Sequence, residues 1–159
     1  MNIILFDDQR WRQLLPLTFT KPSGSLRVGI FTLKEKWENL LKGSVSFLTQ
    51  PYLQEKFPIQ IKNDNLLING SLLPDSKILE EIASLELEQA LVNKDKLLAI
   101  RLSDTKLENF KTNLRSDYNV IESASQPDMI EYPWDIFKKN GSEIQKDFDF
   151  IRKNKNSEE

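Results

Sequence analysis

A polar segment between the first predicted strand and the first predicted helix carries the side chains best suited to bind an anion. Residues 15–30 read LPLTFTKPSGSLRVGI. Because Pro16 and Pro22 fix φ and remove two backbone donors, they exclude an uninterrupted helix and predict a shaped loop. A cationic loop after a strand is where open α/β sheets bind anionic ligands, and an ordinary buried connection is the alternative. The hydroxyl-bearing and cationic side chains of this segment are Thr18, Thr20, Lys21, Ser23, Ser25 and Arg27.

Two carboxylates follow the first apolar run of the chain. Asn2–Phe6, NIILF, predicts a buried strand, and Asp7 and Asp8 close it. Two acids at the end of a strand can hold Mg²⁺, and solvated turn residues are the alternative. Arg10 and Arg12 flank Trp11, and guanidinium groups beside an aromatic ring suit phosphate binding or base stacking, although Trp11 could equally close the edge of the core.

The composition limits the chemistry that the chain can perform. Its 159 residues are enough for one domain with a substantial core. The sequence has no cysteine and no histidine, which excludes disulfides, thiolate nucleophiles and the commonest general base. Carboxylates, lysine, arginine and hydroxyl groups remain. This set suits phosphoryl-type transfer, in which positioning and charge neutralisation supply most of the catalysis.

Charge and hydropathy also narrow the range of partners. The net charge is −2 and no long basic stretch is present, so we expect no nucleic-acid partner. No apolar run approaches the roughly 20 residues of a membrane span, and no signal-peptide pattern follows Met1. We therefore expect no membrane partner and a cytoplasmic location.

Helices and strands alternate along the first two thirds of the chain. Thr32 and Glu35 form a capping-box pattern, which predicts a helix that Gly43 ends. This alternation predicts an α/β fold with a mixed and mostly parallel sheet and helices on both faces. The further predicted elements are a strand at 44–48, a short helix at 51–56, an extended piece at 60–61, a strand at 66–68, a helix through 78–83, a hairpin of 86–92 with 97–101, a helix capped by Asp104 and an edge strand at 119–121.

The last third of the chain carries a different pattern. Pro133 begins a predicted short helix that Asn140 and Gly141 end, and Ser142 begins a capping box for a second helix. The aromatic residues of these helices are expected to pack against the core. Residues 153–159 contain no apolar side chain, which predicts a polar tail or linker after a domain of residues 1–152.

Two stretches resemble a known family, in the same order along the chain: LPLTFTKP with SLRVGIFTLKEKW near the start, and YPWDIF with NGSEIQKDF near the end. They are similar to the amino-terminal domain of bacterial sugar nucleotidyltransferases related to the bifunctional N-acetylglucosamine-1-phosphate uridyltransferase/glucosamine-1-phosphate acetyltransferase. The resemblance implies a Rossmann-like domain that uses Mg²⁺ to join a nucleoside triphosphate to a sugar 1-phosphate, here N-acetylglucosamine 1-phosphate, and releases pyrophosphate. A left-handed β-helix acyltransferase part follows this domain in the family, and an oligomer of the full-length protein is expected to form through it.

The wider superfamily carries the signature G-x-G-T-R-L-x-P-L-T, followed shortly by P-K, and the sequence departs from it. When residues 16–18 are aligned with P-L-T, Gln9 and Trp11 stand at the two glycines. Gln13 stands at the arginine, and Ser23 stands at the lysine. Because phosphates must approach the backbone closely at such glycines, these departures favour a second hypothesis, a catalytically degenerate binding, regulatory or oligomerisation module of an acyltransferase.

The resemblance also implies site residues for an active domain. Arg12 and Lys21 lie close to the missing arginine and lysine and are predicted to act as catalytic residues that clamp the phosphates. Ser71 stands where the family has a metal-binding acid. Asp7 and Asp8 are therefore predicted to hold the metal ion in its place, and Asp75 is the alternative source of the charge. The residues predicted to bind substrate are Thr18, Thr20, Arg27, Asn69 and Gly70.

Overall fold

The computed structural model describes residues 1–110 and 118–155, and these residues contain one six-stranded sheet. The strands are β1 (Asn2–Phe6), β2 (Val45–Leu48), β3 (Asn65–Asn69), β4 (Gln89–Asn93), β5 (Lys96–Leu102) and β6 (Asn119–Glu122). Their order across the sheet is β2-β1-β3-β5-β4-β6. The helices are α1 (Leu33–Leu41), α2 (Pro51–Gln54), α3 (Ser76–Ala83), α4 (Asp104–Leu107) and α5 (Pro133–Lys155).

The sheet is mixed, as predicted. Strands β1, β2 and β3 run parallel, and β6 runs parallel to β4 at the edge. Strand β5 is antiparallel to both of its neighbours, and a tight turn with Lys94 at φ 57° joins it to β4 as a hairpin. The carboxyl ends of β1, β2 and β3 therefore lie together at one edge of the sheet.

The sheet is covered on both faces. Alternate residues of β1 point to opposite sides: Ile3 and Leu5 join a core that contains Trp37 of α1, while Ile4 and Phe6 join a second core with Leu107 of α4. All five residues of β1 are buried. Burial on both faces explains why β1 and β3 read as continuous apolar runs rather than as alternating patterns.

Helix α1 begins as predicted. Thr32 and Glu35 form the complete capping box, and the indole nitrogen of Trp37 donates to the carbonyl of Leu72 at 3.0 Å. The helix ends one residue earlier than predicted, since Lys42 rather than Gly43 adopts the left-handed conformation, with φ 53°. Trp37 therefore fixes α1 against the turn that follows β3.

The carboxyl-terminal segment differs from the prediction. Helix α5 is continuous, with no break at Asn140 or Gly141. The reason is tertiary, because the Oδ1 atom of Asn140 accepts a hydrogen bond from the backbone of Gly29 at 2.8 Å and the helix packs along the body of the domain. The prediction of packed aromatics is also wrong for Trp134, Phe137 and Phe148, which are 53%, 82% and 54% exposed.

Smaller differences concern element boundaries. The predicted extended piece at 60–61 is not a strand, and α2 is shorter than the predicted 51–56. Ser103 rather than Asp104 occupies the N-cap of α4. Helix α5 continues past the predicted domain boundary at residue 152, and residues 156–159 of the predicted tail lie outside the described part of the chain. Within 1–110 and 118–155, none of the helices combines the length and the apolar character that crossing a membrane requires.

Candidate active site at the carboxyl ends of the parallel strands

The polar segment after β1 folds into a loop that returns to the edge of the sheet. It contains two short 3-10 helices, Gln9–Leu14 and Ser23–Ser25. Thr18 is buried, and its hydroxyl donates to the carbonyl of Trp11 at 2.7 Å. This bond joins the middle of the loop to the first 3-10 helix, so Thr18 shapes the loop from inside.

Asp7 anchors the far end of this loop. Its Oδ1 atom accepts hydrogen bonds from the backbone nitrogen of Ser23, at 3.0 Å, and from the hydroxyl of Ser23. Its Oδ2 atom accepts from the hydroxyl of Thr49, at 2.6 Å, which follows β2. Burial raises the pKa of Asp7 above its ordinary value, while the bonds from Ser23 and Thr49 act in the opposite direction. Asp7 thus connects the end of β1 to the loop and to the end of β2.

Asp8 is held by a different set of donors. It caps the first 3-10 helix by accepting from the backbone of Arg10 at 2.8 Å, and the Arg10 guanidinium reaches its other oxygen at 2.8 Å. The Asn69 amide also donates to Asp8, at 3.1 Å, and to the carbonyl of Leu97 at 3.0 Å. Arg10 extends further to Asp95 in the β4–β5 turn, at 3.0 Å. Asp8 therefore connects β1 with β3 and the hairpin.

Two glycines let the loop lie directly on the strand ends. A Cβ atom on Gly70 would lie 2.9 Å from the Ser23 hydroxyl and 3.1 Å from the backbone nitrogen of Gly24. A Cβ atom on Gly24 would lie 2.6 Å from a methyl group of Leu5. The segment containing Ser23 and Gly24 consequently closes over the ends of β1 and β3.

The structure brings some of the predicted site residues together at this edge. Asp7, Asp8, Asn69 and Gly70 meet there, and all four serve to hold the loop in place. Arg27 is exposed in a turn before α1, where it donates to the carbonyl of Ile30 and lies 3.8 Å from Glu35. Whether any of these residues contacts a substrate stays a prediction.

Three loop residues remain available to a ligand. Arg12 and Thr20 are exposed and Lys21 is half-buried. Among the residues that the structure describes, Arg12 and Lys21 have no hydrogen-bond or ion-pair partner for their side chains, and Arg12 lies 6.0 Å above the ring of Trp11. Two cations without counter-ions thus lie on a loop whose own acids are already paired.

The acids do not form a ready metal site. The oxygens of Asp7 and Asp8 already accept from protein donors, and the described ranges contain no cluster of three or more carboxylates. Mg²⁺ prefers an octahedral set of oxygen ligands with open lone pairs. The residues as arranged therefore do not fit a preformed Mg²⁺ site, and a metal role for Asp7 and Asp8 stays a prediction.

Sequence reasoning did not identify the partners of the two acids. Ser23 was aligned with a missing lysine, Arg10 was interpreted with Arg12 as a group for phosphate binding or base stacking, and Thr49 was given no role. Thr49 could have been found, because it directly follows a strand predicted to lie parallel to β1, and parallel strands end at the same edge of a sheet. No local pattern indicates that Ser23 binds Asp7.

Comparisons with known proteins agree with this architecture. A chain from Bacillus anthracis, solved in complex with a sucrose and described as a glucose-1-phosphate thymidylyltransferase, superposes with a TM-score of 0.50 at 11% identity. The match covers 91% of this chain and 95% of that chain, and at this identity it shows the fold alone. No curated protein matches the sequence. The family model described as sugar nucleotidyl transferase matches residues 3–156, and the chain therefore belongs to this family.

Proposed function

We propose that this domain binds a nucleoside triphosphate and N-acetylglucosamine 1-phosphate and joins them to form UDP-N-acetylglucosamine or a related nucleotide sugar, with release of pyrophosphate. The observation that carries the proposal is the pair of cations without counter-ions, Arg12 and Lys21, on the loop over the strand ends. Family membership supports the substrate classes, a nucleoside triphosphate and a sugar phosphate. The choice of N-acetylglucosamine rests on the sequence resemblance.

The proposed reaction needs no covalent intermediate. A phosphate oxygen of the sugar 1-phosphate attacks the α-phosphorus of the triphosphate in line, a new P–O bond forms, and the bond to the β-phosphate oxygen breaks so that pyrophosphate leaves. Arg12 and Lys21 neutralise the negative charge that develops on the phosphoryl oxygens. Thr20, exposed beside Lys21, supplies a hydroxyl that can donate to a substrate oxygen.

The remaining residues position this loop. Asp7 holds Ser23 two residues after Lys21, and Asp8 holds the first 3-10 helix, which ends two residues after Arg12. Fixing both ends of the loop limits the freedom of the two cations before substrate binds, which is the contribution of positioning to catalysis. In this proposal Mg²⁺ enters the site bound to the triphosphate, and no step depends on a metal ion bound by the protein.

The alternative of a degenerate module is not favoured by the comparisons, and one experiment separates it from catalysis. The purified chain is titrated with UTP or dTTP in the presence and absence of Mg²⁺, and heat and pyrophosphate release are followed together. N-acetylglucosamine 1-phosphate and glucose 1-phosphate are compared as second substrates. We expect pyrophosphate only when both substrates are present, and faster with N-acetylglucosamine 1-phosphate.

Three other results would change the proposal. Faster release with glucose 1-phosphate would replace the proposed sugar and keep the reaction. Binding of a triphosphate without pyrophosphate from any sugar phosphate would contradict catalysis. A chain with a native circular-dichroism spectrum that gives neither heat nor pyrophosphate would contradict the proposed function altogether.

A further inference from the structure

Helix α5 buries two acids beside the apolar residues Ile136 and Phe150, and it leaves several large apolar side chains exposed to solvent. Glu143 and Asp147 are 2% and 5% exposed, and the side chain of Lys36 lies between them, 2.9 Å from Glu143. Phe137 and Phe148, on another side of the same helix, are 82% and 54% exposed. A surface helix normally exposes polar side chains, so large apolar side chains exposed on one side of α5 indicate an interaction surface.

The spacing of the exposed side identifies the kind of partner. The exposed side consists of six positions of α5, which we call the apolar stripe: 134, 137, 141, 144, 148 and 151. The spacing between successive positions alternates between three and four residues. That alternation is the pattern by which one helix packs along another. Within the stripe, Trp134 is 53% exposed and stacks on Tyr132 with 4.6 Å between the ring centroids, and Ile144 is 42% exposed.

Gly141 is a second, independent indication of a partner helix. An interior helical glycine is unfavourable relative to alanine, and among the described residues no atom lies within 4 Å of a Cβ built at Gly141. Nothing inside the described chain therefore requires a glycine there. A side chain from another helix that enters at this point would require one.

The stripe is complementary to itself. We propose that α5 pairs with α5 of a second copy of this chain, antiparallel, about a two-fold axis between positions 142 and 143. This register places Phe137 against the partner's Phe148, Trp134 against the partner's Ile151, and the gap at Gly141 opposite the partner's Ile144. Such a contact is isologous, as a closed two-fold dimer requires.

The charges beside the stripe agree with the antiparallel direction. Asp135, Lys138, Asp149 and Arg152 flank it on one side, with the acids and bases alternating along the helix. In the proposed register Lys138 approaches the partner's Asp149, and Arg152 approaches the partner's Asp135. Lys138 and Asp149 cannot pair within one chain, because 11 residues of helix separate them by about 16 Å. A parallel pair would bring like charges together.

The test is the mass of the chain in solution as a function of concentration. Sedimentation equilibrium of the 159-residue chain should give a mass that rises with concentration from 18.6 kDa towards twice that value. Phe137→Glu should raise the dissociation constant by at least about tenfold, because a central apolar contact is lost. Leu87→Glu, at a residue that is 50% exposed outside α5, is the matched control and should leave association unchanged.

A charge exchange tests the direction. Lys138→Asp should weaken the dimer, and the double variant with Lys138→Asp and Asp149→Lys should restore it, since the exchange recreates each intermolecular pair. A chain that stays at 18.6 kDa at every concentration overturns the proposal. A dimer that survives Phe137→Glu also overturns it, and a dimer that the double variant does not restore overturns the antiparallel register. Circular dichroism of each variant separates loss of association from loss of folding.

Discussion

Lys36 and Asp147 form a buried ion pair, with 2.5 Å between the ammonium nitrogen and the carboxylate oxygen, although 111 residues separate them in the sequence. The other oxygen of Asp147 accepts hydrogen bonds from the backbone nitrogens of Ile30 and Phe31. One carboxylate on α5 thus holds both α1 and the turn before it. Gly29, at φ 81°, lets that turn approach, because a Cβ atom there would lie 2.6 Å from Asp147.

Lys36→Met should destabilise the protein strongly. The substitution keeps most of the apolar stem but leaves the buried carboxylate of Asp147 without a cation, whereas Glu143 keeps its second partner, Lys146, at 2.7 Å. Breaking a buried ion pair in this way costs about 3–5 kcal/mol of unfolding free energy, measured by urea denaturation. Lys34→Met is the matched control, because Lys34 pairs at the surface with Glu38, 3.6 Å away, and such pairs contribute about 1 kcal/mol or less. Equal losses in the two variants would contradict the role of Lys36.

Local patterns were sufficient to predict most of the sheet. The apolar runs that became β1 and β3 are closed by polar residues, and the capping box of Thr32 and Glu35 specifies the start of α1. Each of these signals lies within a few residues of the structure that it specifies. The hairpin of β4 and β5 was likewise predicted from the turn between them.

Helix α5 was predicted incorrectly for a physical reason. Asn140 and Gly141 are typical of a helix end, and a helix that stood alone would tend to stop there. The helix continues because Asn140 and Asp147 bind the backbone around Gly29, more than 100 residues earlier in the chain. A local pattern contains no information about such a distant partner.

The candidate site was predicted in part. Asp7 and Asp8 were expected at the end of β1, and they lie there. Their partners come from other elements: Ser23 from the returning loop, Thr49 from the end of β2 and Asn69 from the end of β3. The sequence can place an acid at a strand end, but only the fold determines which donors occupy its oxygens.

Thr49→Val should loosen the loop. Valine has nearly the same shape as threonine but lacks the hydroxyl that donates to Asp7 at 2.6 Å. A buried carboxylate that loses a donor costs about 1–3 kcal/mol, so the unfolding free energy should fall by that amount. Thr105→Val, in the exposed helix α4, is the control and should change stability little. An unchanged midpoint of urea unfolding for Thr49→Val would show that the hydroxyl does not hold Asp7 in solution.

Lys21→Ala should remove activity with little loss of stability. The Lys21 side chain has no hydrogen-bond or ion-pair partner among the described residues, so its removal breaks no polar interaction in the folded chain. Loss of a cation that stabilises developing charge lowers kcat by about 10²–10³-fold, which pyrophosphate release measures directly. Lys62→Ala removes an exposed lysine that precedes β3, at the opposite edge of the sheet, and should turn over normally. Normal turnover by Lys21→Ala would exclude Lys21 from the mechanism.

Glu81 on α3 should make the free energy of unfolding depend on pH. Its carboxylate accepts hydrogen bonds from the hydroxyl of Ser123 at 2.5 Å and from the backbone of Ser125 at 3.0 Å, just beyond β6. Burial by itself raises the pKa of Glu81, but the bonds from Ser123 and Ser125 together outweigh it and hold the pKa below its ordinary value of 4.5.

The sign of the effect follows from which state binds the proton more tightly. Because the folded chain has the lower pKa, the unfolded chain takes up the proton first as the pH falls. The stabilisation from Glu81 is therefore complete above about pH 4.5 and is lost progressively at lower pH. The unfolding free energies of the protein and of Glu81→Gln, measured in urea from pH 7 to pH 3, should differ by a constant amount above that point and converge below it. Other carboxylates titrate in both proteins and cancel in the difference, so a difference that stays constant across the whole range would mean that Glu81 is not held by the segment after β6.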